Sequence, residues 1–266
     1  MIKLGVDNGN YNTKSSEGML YASGYAASDK EFIVPEMQLF FEGKYYAIGE
    51  RRLRFQQDKT REPDTFILTL PAIADTMKKA GTTNAEIALG VGLPIDSYGT
   101  QKEAFRRYFL RDNISFRFEG AFYRCRIAEC KVFAQGHAAL CRYYPQLKDY
   151  RSITLVDIGG YTVDILTLHD FRLDRSSCAS LRMGTITLYS RIQDTLQRSD
   201  ILLSDGLITD AIRGEIQHTE SKLIGAVVEQ TVTAYCKELF NALRERGLDL
   251  RLPMVFAGGG AELLES

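Results

Sequence analysis

One six-residue pattern occurs twice in this chain, and it limits the available folds more than any other feature. Asp7-Asn8-Gly9-Asn10-Tyr11-Asn12 and Asp157-Ile158-Gly159-Gly160-Tyr161-Thr162 both read Asp-x-Gly-small-Tyr-polar, 150 positions apart. Each copy follows a short apolar run, Ile2–Val6 or Ile153–Val156, and each is followed by further strand-like sequence. Two strand–turn–strand units of one type, one per half, imply a duplicated two-lobed α/β chain with a cleft between the lobes. The junction is expected at Tyr150–Arg151, giving lobes over residues 1–150 and 151–266.

The repeated turn suits the phosphate tail of a nucleotide. Small residues in a tight turn let backbone N–H groups approach an anion closely, and glycine permits conformations closed to other residues. The aspartates look misplaced at such a site. A carboxylate about 4 Å from a phosphate charge is repelled by about 1 kcal/mol in water and about 4 kcal/mol at an effective dielectric of 20. A divalent cation between them reverses the sign, and Mg²⁺ is typically held by one or two carboxylates together with phosphates and water. Asp7 and Asp157 therefore imply a metal–nucleotide complex, with Lys14 reaching back to the phosphates as a point charge. A third element, Val255-Phe256-Ala257-Gly258-Gly259-Gly260-Ala261, runs a strand through three glycines into a helix and offers close backbone contact to a ligand. Singly, an Asp-x-Gly turn is an ordinary hairpin and a glycine triplet an ordinary turn. Both copies and the triplet, in this order and spacing, together form a specific signal.

Between these landmarks the pattern alternates strands and helices. Met19–Ala27 and Phe32–Ile48 read as hairpins, and Arg51–Arg61 as a charged surface loop or exposed helix. Pro71 is expected to open a helix over Ala72–Ala80 that Gly81 stops, followed by a buried strand at Ile87–Val91. Ser97 is expected to cap a helix carrying Phe105, Tyr108 and Phe109 on one face. Glu119-Gly120 turns a hairpin between Ile114–Phe118 and Phe122–Ile127, and a helix is expected from Ala134 to Tyr144. In the second half, Val163–Leu168 and Phe171–Leu181 read as strands, Gly184-Thr185 starts a helix to Arg198, and a short helix falls near Ile208–Ile212. The apolar stripe Ile224, Val227, Val228, Thr231, Tyr235, Leu239, Leu243 marks the longest helix, Lys222–Arg246, as a core element.

Composition removes several rival readings. The 33 Lys and Arg against 34 Asp and Glu leave a net charge of −1, which supplies no long-range pull on nucleic-acid phosphates. Hydrophobic residues at 45% are ample for a packed core, so disorder is excluded. No stretch approaches the roughly 20 apolar residues of a membrane helix, and the start turns polar too soon for a signal peptide. The five cysteines are scattered without a CxxC pair, as expected of inert thiols in a reducing cytoplasm.

The three glycine-bearing segments resemble the phosphate-1, phosphate-2 and adenosine motifs of the actin, sugar kinase and heat-shock chaperone ATPase superfamily. Asp7 through Lys14 is similar to actin-type loops, which also carry a lysine there. Asp157 through Ile165, Gly258 through Leu264, and Tyr45-Tyr46-Ala47-Ile48-Gly49 resemble the ParM/StbA family of bacterial actin-like plasmid-segregation ATPases. The likeness covers essentially the whole chain in element order and is specific in the loops.

That resemblance implies a two-lobed actin-like ATPase fold, each lobe with a ribonuclease-H-like core, holding ATP or ADP and Mg²⁺ in the cleft. Asp7 and Asp157 would organise Mg²⁺ through its waters. Gly9, Asn10, Asn12, Gly159, Gly160, Tyr161 and Thr162 would bind phosphates beside Lys14, and Gly258, Gly259 and Gly260 would line the adenosine. Gln135 falls where actins place a glutamine near the attacking water, the role it is expected to fill; the alternative is a residue that caps or hydrogen-bonds the following helix start. His137 reads as a polar helix residue, and Gly184-Thr185 either as the family's helix-opening turn or as an ordinary N-cap. The implied function is ATP-dependent polymerisation for plasmid or mobile-element segregation, with self-association into filaments, a DNA-bound adaptor protein as partner, and no direct nucleic-acid or membrane contact. A monomeric ATP-dependent small-molecule kinase or switch, and a non-hydrolysing nucleotide-bound scaffold, are the alternatives on the same fold. A kinase would need a carboxylate base, for which Asp164 is the candidate. Family members usually continue beyond the glycine triplet, so the second lobe is expected to be C-terminally truncated, and the activity of a chain this short is open.

Overall fold

The structure, a computed structural model, describes residues 1–33, 37–53, 58–136, 140, 145–170 and 172–265. The chain divides into two compact units, Met1–Gln135 and Gly136–Ser266.

The first unit is built on one sheet. One edge is an antiparallel meander of β1 (Ile2–Asn8), β2 (Asn12–Ser15) and β3 (Leu20–Ala22). The opposite edge is formed by β4 (Gly24–Ser28), β5 (Gln38–Phe41) and β6 (Lys44–Arg52). Then come α1 (Asp64–Lys79), β7 (Asn84–Leu93), α2 (Ile95–Phe109), β8 (Arg111–Phe118) and β9 (Ala121–Ala134). The strand order is β3-β2-β1-β7-β9-β8-β5-β6-β4. β1, β7 and β9 run parallel, so the first five strands have the order of a ribonuclease-H core. β8 and β9 are joined by a two-residue turn in which Glu119 (φ 47°) and Gly120 (φ 80°) both occupy the left-handed region, as a type I′ hairpin requires.

Along β1, period-two alternation buries Leu4, Val6 and Asn8 and leaves Asp7 exposed on the other face. The buried side of the sheet meets α1, whose Phe66, Leu70, Ile73 and Met77 are fully buried. Phe66 of α1 packs on Tyr108 and Phe109 of α2, with ring centroids 6.5 and 6.3 Å away.

The second unit repeats the order 3-2-1-4. β10 (Ser152–Ile158), β11 (Val163–His169) and β12 (Arg172–Leu181) form an antiparallel meander, and β13 (Met254–Ala257) adds parallel to β10. α3 (Thr185–Gln197), α4 (Asp205–Ile212), α5 (Ser221–Glu245) and α6 (Gly259–Glu265) complete it. Ser204 caps α4 by accepting from the Leu207 amide. α5 buries Ile224, Val228, Tyr235, Leu239 and Leu243, so the apolar stripe is core as the pattern implied.

Three expectations need correction. α1 begins seven residues before Pro71, which lies inside the helix. Proline there forfeits the bond to the Ile67 carbonyl, but burial of Phe66, Ile67, Leu68 and Leu70 ahead of it outweighs that loss. Ser97 is the third residue of α2 and caps nothing; Pro94 occupies the N-cap. The 51–61 stretch is neither uniformly exposed nor helical where described: β6 runs through Arg52, and Lys59 is 5% exposed. Most of the helix expected over 134–144, with His137 and Cys141, lies outside the described residues, while Ala134 ends β9.

Candidate functional site

The first Asp-x-Gly turn joins β1 to β2, and pairing Asp7 with Lys14 and Asn8 with Thr13 closes it tightly. The closure explains Gly9: a Cβ there would lie 2.6 Å from the Asn12 carbonyl oxygen. Asp7 and Lys14 stand directly opposite one another, both exposed, on the same face of the hairpin. Gln135, immediately after β9, donates from Nε2 to Asp7 Oδ1 at 2.8 Å. Gly92 on β7 lies beneath this pair, where a Cβ would come within 3.0 Å of the Gln135 side chain.

The other side of this turn is tied into the core. Asn8 is buried and donates from Nδ2 to Thr69 Oγ1 on α1 at 3.1 Å; Thr69 in turn donates to the Thr65 carbonyl at 2.8 Å. Ser23 donates to the Gly9 carbonyl at 2.5 Å, and its amide donates to the Tyr11 carbonyl at 3.0 Å. Lys59 donates its ammonium to the Asn8 carbonyl. The Arg52 guanidinium lies 3.6 Å from the Tyr11 ring centroid, a close cation–π contact. Nearby, Asp58 is held below the usual carboxylate range by the hydroxyl and amide of Thr60. Tyr25 is pushed upward, first by burial and then by its hydrogen bond to Asp64.

The second turn joins β10 to β11, with Asp157 opposite Asp164 and Ile158 opposite Val163. The Gly159 amide donates to the Thr162 carbonyl at 2.8 Å. Behind the turn stands the start of α3. The Gly184, Thr185 and Ile186 amides donate to the carbonyls of Tyr161, Gly159 and Gly160 at 3.1, 3.0 and 2.9 Å. These donors are the N-terminal amides a helix leaves unsatisfied, here capped by the loop itself. Gly184 is therefore more than an N-cap: a Cβ there would sit 2.3 Å from the Gly160 carbonyl oxygen. Asp164 is 7% exposed, and its Oδ2 accepts from Thr162 Oγ1 at 3.3 Å.

The glycine triplet follows β13, which pairs with β10 and sets Ala257 opposite Asp157. Gly258 has φ 87°, and a Cβ there would lie 2.4 Å from Asp157 Oδ1. A Cβ on Gly260 would lie 2.3 Å from the Ile158 side chain, whereas Gly259 faces open space. Packing against the end of β10 thus demands glycine at the outer two positions. Beside the triplet is a cavity of about 700 Å³ lined by Phe240, Phe256, Ala257, Gly258, Ala261 and Glu262, among others.

The structure thus gathers Asp7, Gly9, Asn10, Asn12, Lys14 and Gln135 at one end of the first unit's central strands. Asp157, Gly159, Gly160, Tyr161, Thr162 and Gly258 to Gly260 gather at the matching end of the second unit's sheet. Sequence reasoning missed the supports: Ser23, Lys59, Thr69 and the fastening of α3 to the second turn. Lys59 carried no local signal, because a lysine in a charged stretch reads as solvated. Among the described residues, no three His, Cys, Asp or Glu side chains converge as a metal cage, and no helix is long and apolar enough to cross a membrane. The thiols of Cys125 and Cys130 are pushed up by burial to about 12 and about 11.

Comparison with known proteins matches residues 5–137 to the model of the actin-like proteins N-terminal domain. Residues 155–266 match the C-terminal domain of the archaeal actin homologue, MreB-like. No curated protein matches the chain. Among solved structures, the chain is similar to the archaeal actin homologue Ta0583 in complex with ADP, at 18% identity and TM-score 0.76, covering 100% of this chain and 89% of that one. It is similar to apo pSK41 ParM at 14% identity and TM-score 0.73, covering 98% and 87%. It is also similar to a 15-stranded ParM filament from Clostridium botulinum at 16% identity and TM-score 0.74, covering 99% and 90%. The duplicated strand order, the paired Asp-x-Gly turns and the two family models agree: the chain has the actin fold and belongs to the actin-like protein family.

Proposed function

We propose that this protein is a cytoplasmic actin-like ATPase that binds ATP with Mg²⁺ and polymerises into nucleotide-dependent filaments, serving plasmid or mobile-element DNA segregation. The observation that carries the reading is the pair of turns, each with its carbonyls tied from behind. A turn so held presents its amide edge to an anion. Gly9, Asn10 and Asn12 with Lys14, and Gly159, Gly160, Tyr161 and Thr162, would bind phosphates; Gly258 to Gly260 would lie along the adenosine. The structural neighbours include proteins described as an ADP complex and as ParM, Alp12 and AlfA filaments, which supports both halves of the reading.

The donor set suits Mg²⁺. Aspartates at the ends of β1 and β10 fit an ion that retains most of its waters. Asp7 and Asp157 would hold it through those waters, and when bound it would neutralise phosphate charge. Gln135, fixed on Asp7, would orient the attacking water; its neutral amide is no base, so its contribution is positional. Asp164, the base a small-molecule kinase would need, is buried and engaged with Thr162, which favours the ATPase. The near-zero net charge fits a filament that reaches DNA through a bound adaptor protein.

The test is MgATP turnover measured alongside light scattering and negative-stain microscopy. ATP, and not AMP, is expected to produce sedimentable polymer. A chain that binds MgATP yet stays monomeric at high concentration would remove the filament claim, and a chain with no MgATP or MgADP affinity would remove the nucleotide claim.

A further inference from the structure

The two turns share a sequence pattern but are braced by different chemistry. Behind the second stands a helix N-terminus, whose amides hold three loop carbonyls and whose dipole places roughly half a positive charge there. Behind the first, the opening residues of α1, Asp64 and Thr65, line a small cavity with the turn, and among the described residues no α1 amide is one of the donors that tie its carbonyls. The ties come instead from the Lys59 ammonium, which reaches the Asn8 carbonyl, and from the Ser23 contacts to Gly9 and Tyr11. Lys59 is 5% exposed, and its backbone is fixed too, because Thr65 Oγ1 donates to its carbonyl at 3.1 Å. It lines a cavity of about 30 Å³ together with Asn8, Gly9, Asn10 and Asp64. Burying an ammonium costs several kcal/mol unless charge and hydrogen bonding compensate. A lysine that only had to fill space here would be replaced at lower cost by methionine.

We propose that Lys59 is a positioning residue for the first anion-binding turn, doing there what the start of α3 does for the second. It pulls the Asn8 carbonyl back toward the core, which fixes the orientation of the peptides that follow through Asn12. It also sets its ammonium behind the turn, on the side away from solvent, in the cavity that Asp64 shares. This inference rests on the nucleotide reading for its ligand, but not for its effect on the turn.

The experiment compares Lys59→Met and Lys59→Arg with the native chain and with Lys79→Met, a control that removes an exposed lysine of the same unit. Backbone amide resonances and hydrogen exchange are followed at Gly9 to Asn12 and at Gly159 to Thr162. Binding of MgADP is measured by calorimetry. Lys59→Met is expected to shift and speed exchange at the first four amides only, and to weaken MgADP about tenfold, the scale of one charged hydrogen bond. Lys59→Arg is expected to restore the amides and most of the affinity, and Lys79→Met to change neither. Unmoved amides at Gly9 to Asn12, or equal losses in Lys59→Met and Lys79→Met, would overturn the proposal. A native chain that binds no MgADP would refute the nucleotide reading, and the amide comparison would still decide the role of Lys59. If Lys59→Met does not fold, Lys59→Gln, neutral and one atom shorter, is expected to loosen the same four amides and is judged by the same criterion.

Discussion

Gly184→Ala isolates the contact between α3 and the second turn. The glycine has φ −67° and ψ 174°, which alanine adopts without strain, so any effect comes from the added methyl alone. That methyl would meet the Gly160 carbonyl oxygen at 2.3 Å, the Gly160 carbonyl carbon at 2.4 Å and the Tyr161 carbonyl carbon at 2.5 Å. All three are backbone atoms, and ordinary contact begins near 3.4 Å, so the turn or the helix start must retreat by about 1 Å. Overpacking of this kind costs about 1–3 kcal/mol. The retreat also stretches three hydrogen bonds, from the amides of Gly184, Thr185 and Ile186, each worth about 0.5–1.5 kcal/mol. Partial loss of these brings the total to about 2–4 kcal/mol, or about 5–12 °C in midpoint. Differential scanning fluorimetry with and without MgADP reads both consequences, because a displaced turn also shrinks the nucleotide-induced shift. Gly225→Ala is the internal comparison: it lies within α5 with open space around its Cβ position and is expected to gain about 0.5–1 kcal/mol. If Gly184→Ala melts within a degree or so of the native chain and keeps the full MgADP shift, the rigid fastening described here is wrong.

Gln135→Leu removes the donor to Asp7 Oδ1 while keeping bulk; MgATP turnover is expected to fall about a hundredfold with MgADP affinity nearly unchanged, and undiminished turnover in a phosphate-release assay would refute a positional role. Phe66→Ala empties a fully buried site between Phe41, Phe109 and the Arg111 guanidinium; a loss of about 3–5 kcal/mol is expected in denaturant titration, and less than about 1 kcal/mol would contradict the packing. The Cys125 and Cys130 thiols, raised by burial to about 12 and about 11, carry almost no thiolate at pH 7.5. Both are expected to resist a disulfide reagent until guanidinium unfolds the chain, and prompt native labelling of either, read by mass spectrometry, would show that burial is overstated.

The sheets and the two turns were legible because each is written in short-range pattern. Apolar runs end in Asp-x-Gly, Glu119-Gly120 announces its hairpin, and the stripe from Ile224 to Leu243 has helical period. What escaped detection was tertiary. Pro71 carries a strong helix-start signal, yet burial of Phe66 through Leu70 carries the helix back to Asp64. Ser97 is an able cap at a position where the helix had already begun. Lys59 and Ser23 support the first turn across separations of 51 and 14 residues, a distance at which no periodicity speaks. Gly184 was visible as a helix start, but its need for a missing methyl depends on where the Gly160 carbonyl comes to lie.

β9 has a mechanical consequence. Its 14 residues span about 45 Å. One end carries the exposed Phe122, and the other leads directly into Gln135, whose amide holds Asp7. β7 grips the strand along one side, and β8 grips the Phe122 end along the other. The pairing of β9 is irregular on both sides around Ile127: the register with β7 shifts between Ile87 and Ala88, and that with β8 between Arg111 and Ile114, so the strand gives there. A load applied at the hairpin tip meets this compliant zone first, so the residues after Ala128, through Ala134, which lead into Gln135, are insulated from the tip, and Asp7 is held by the half of β9 paired regularly with β7.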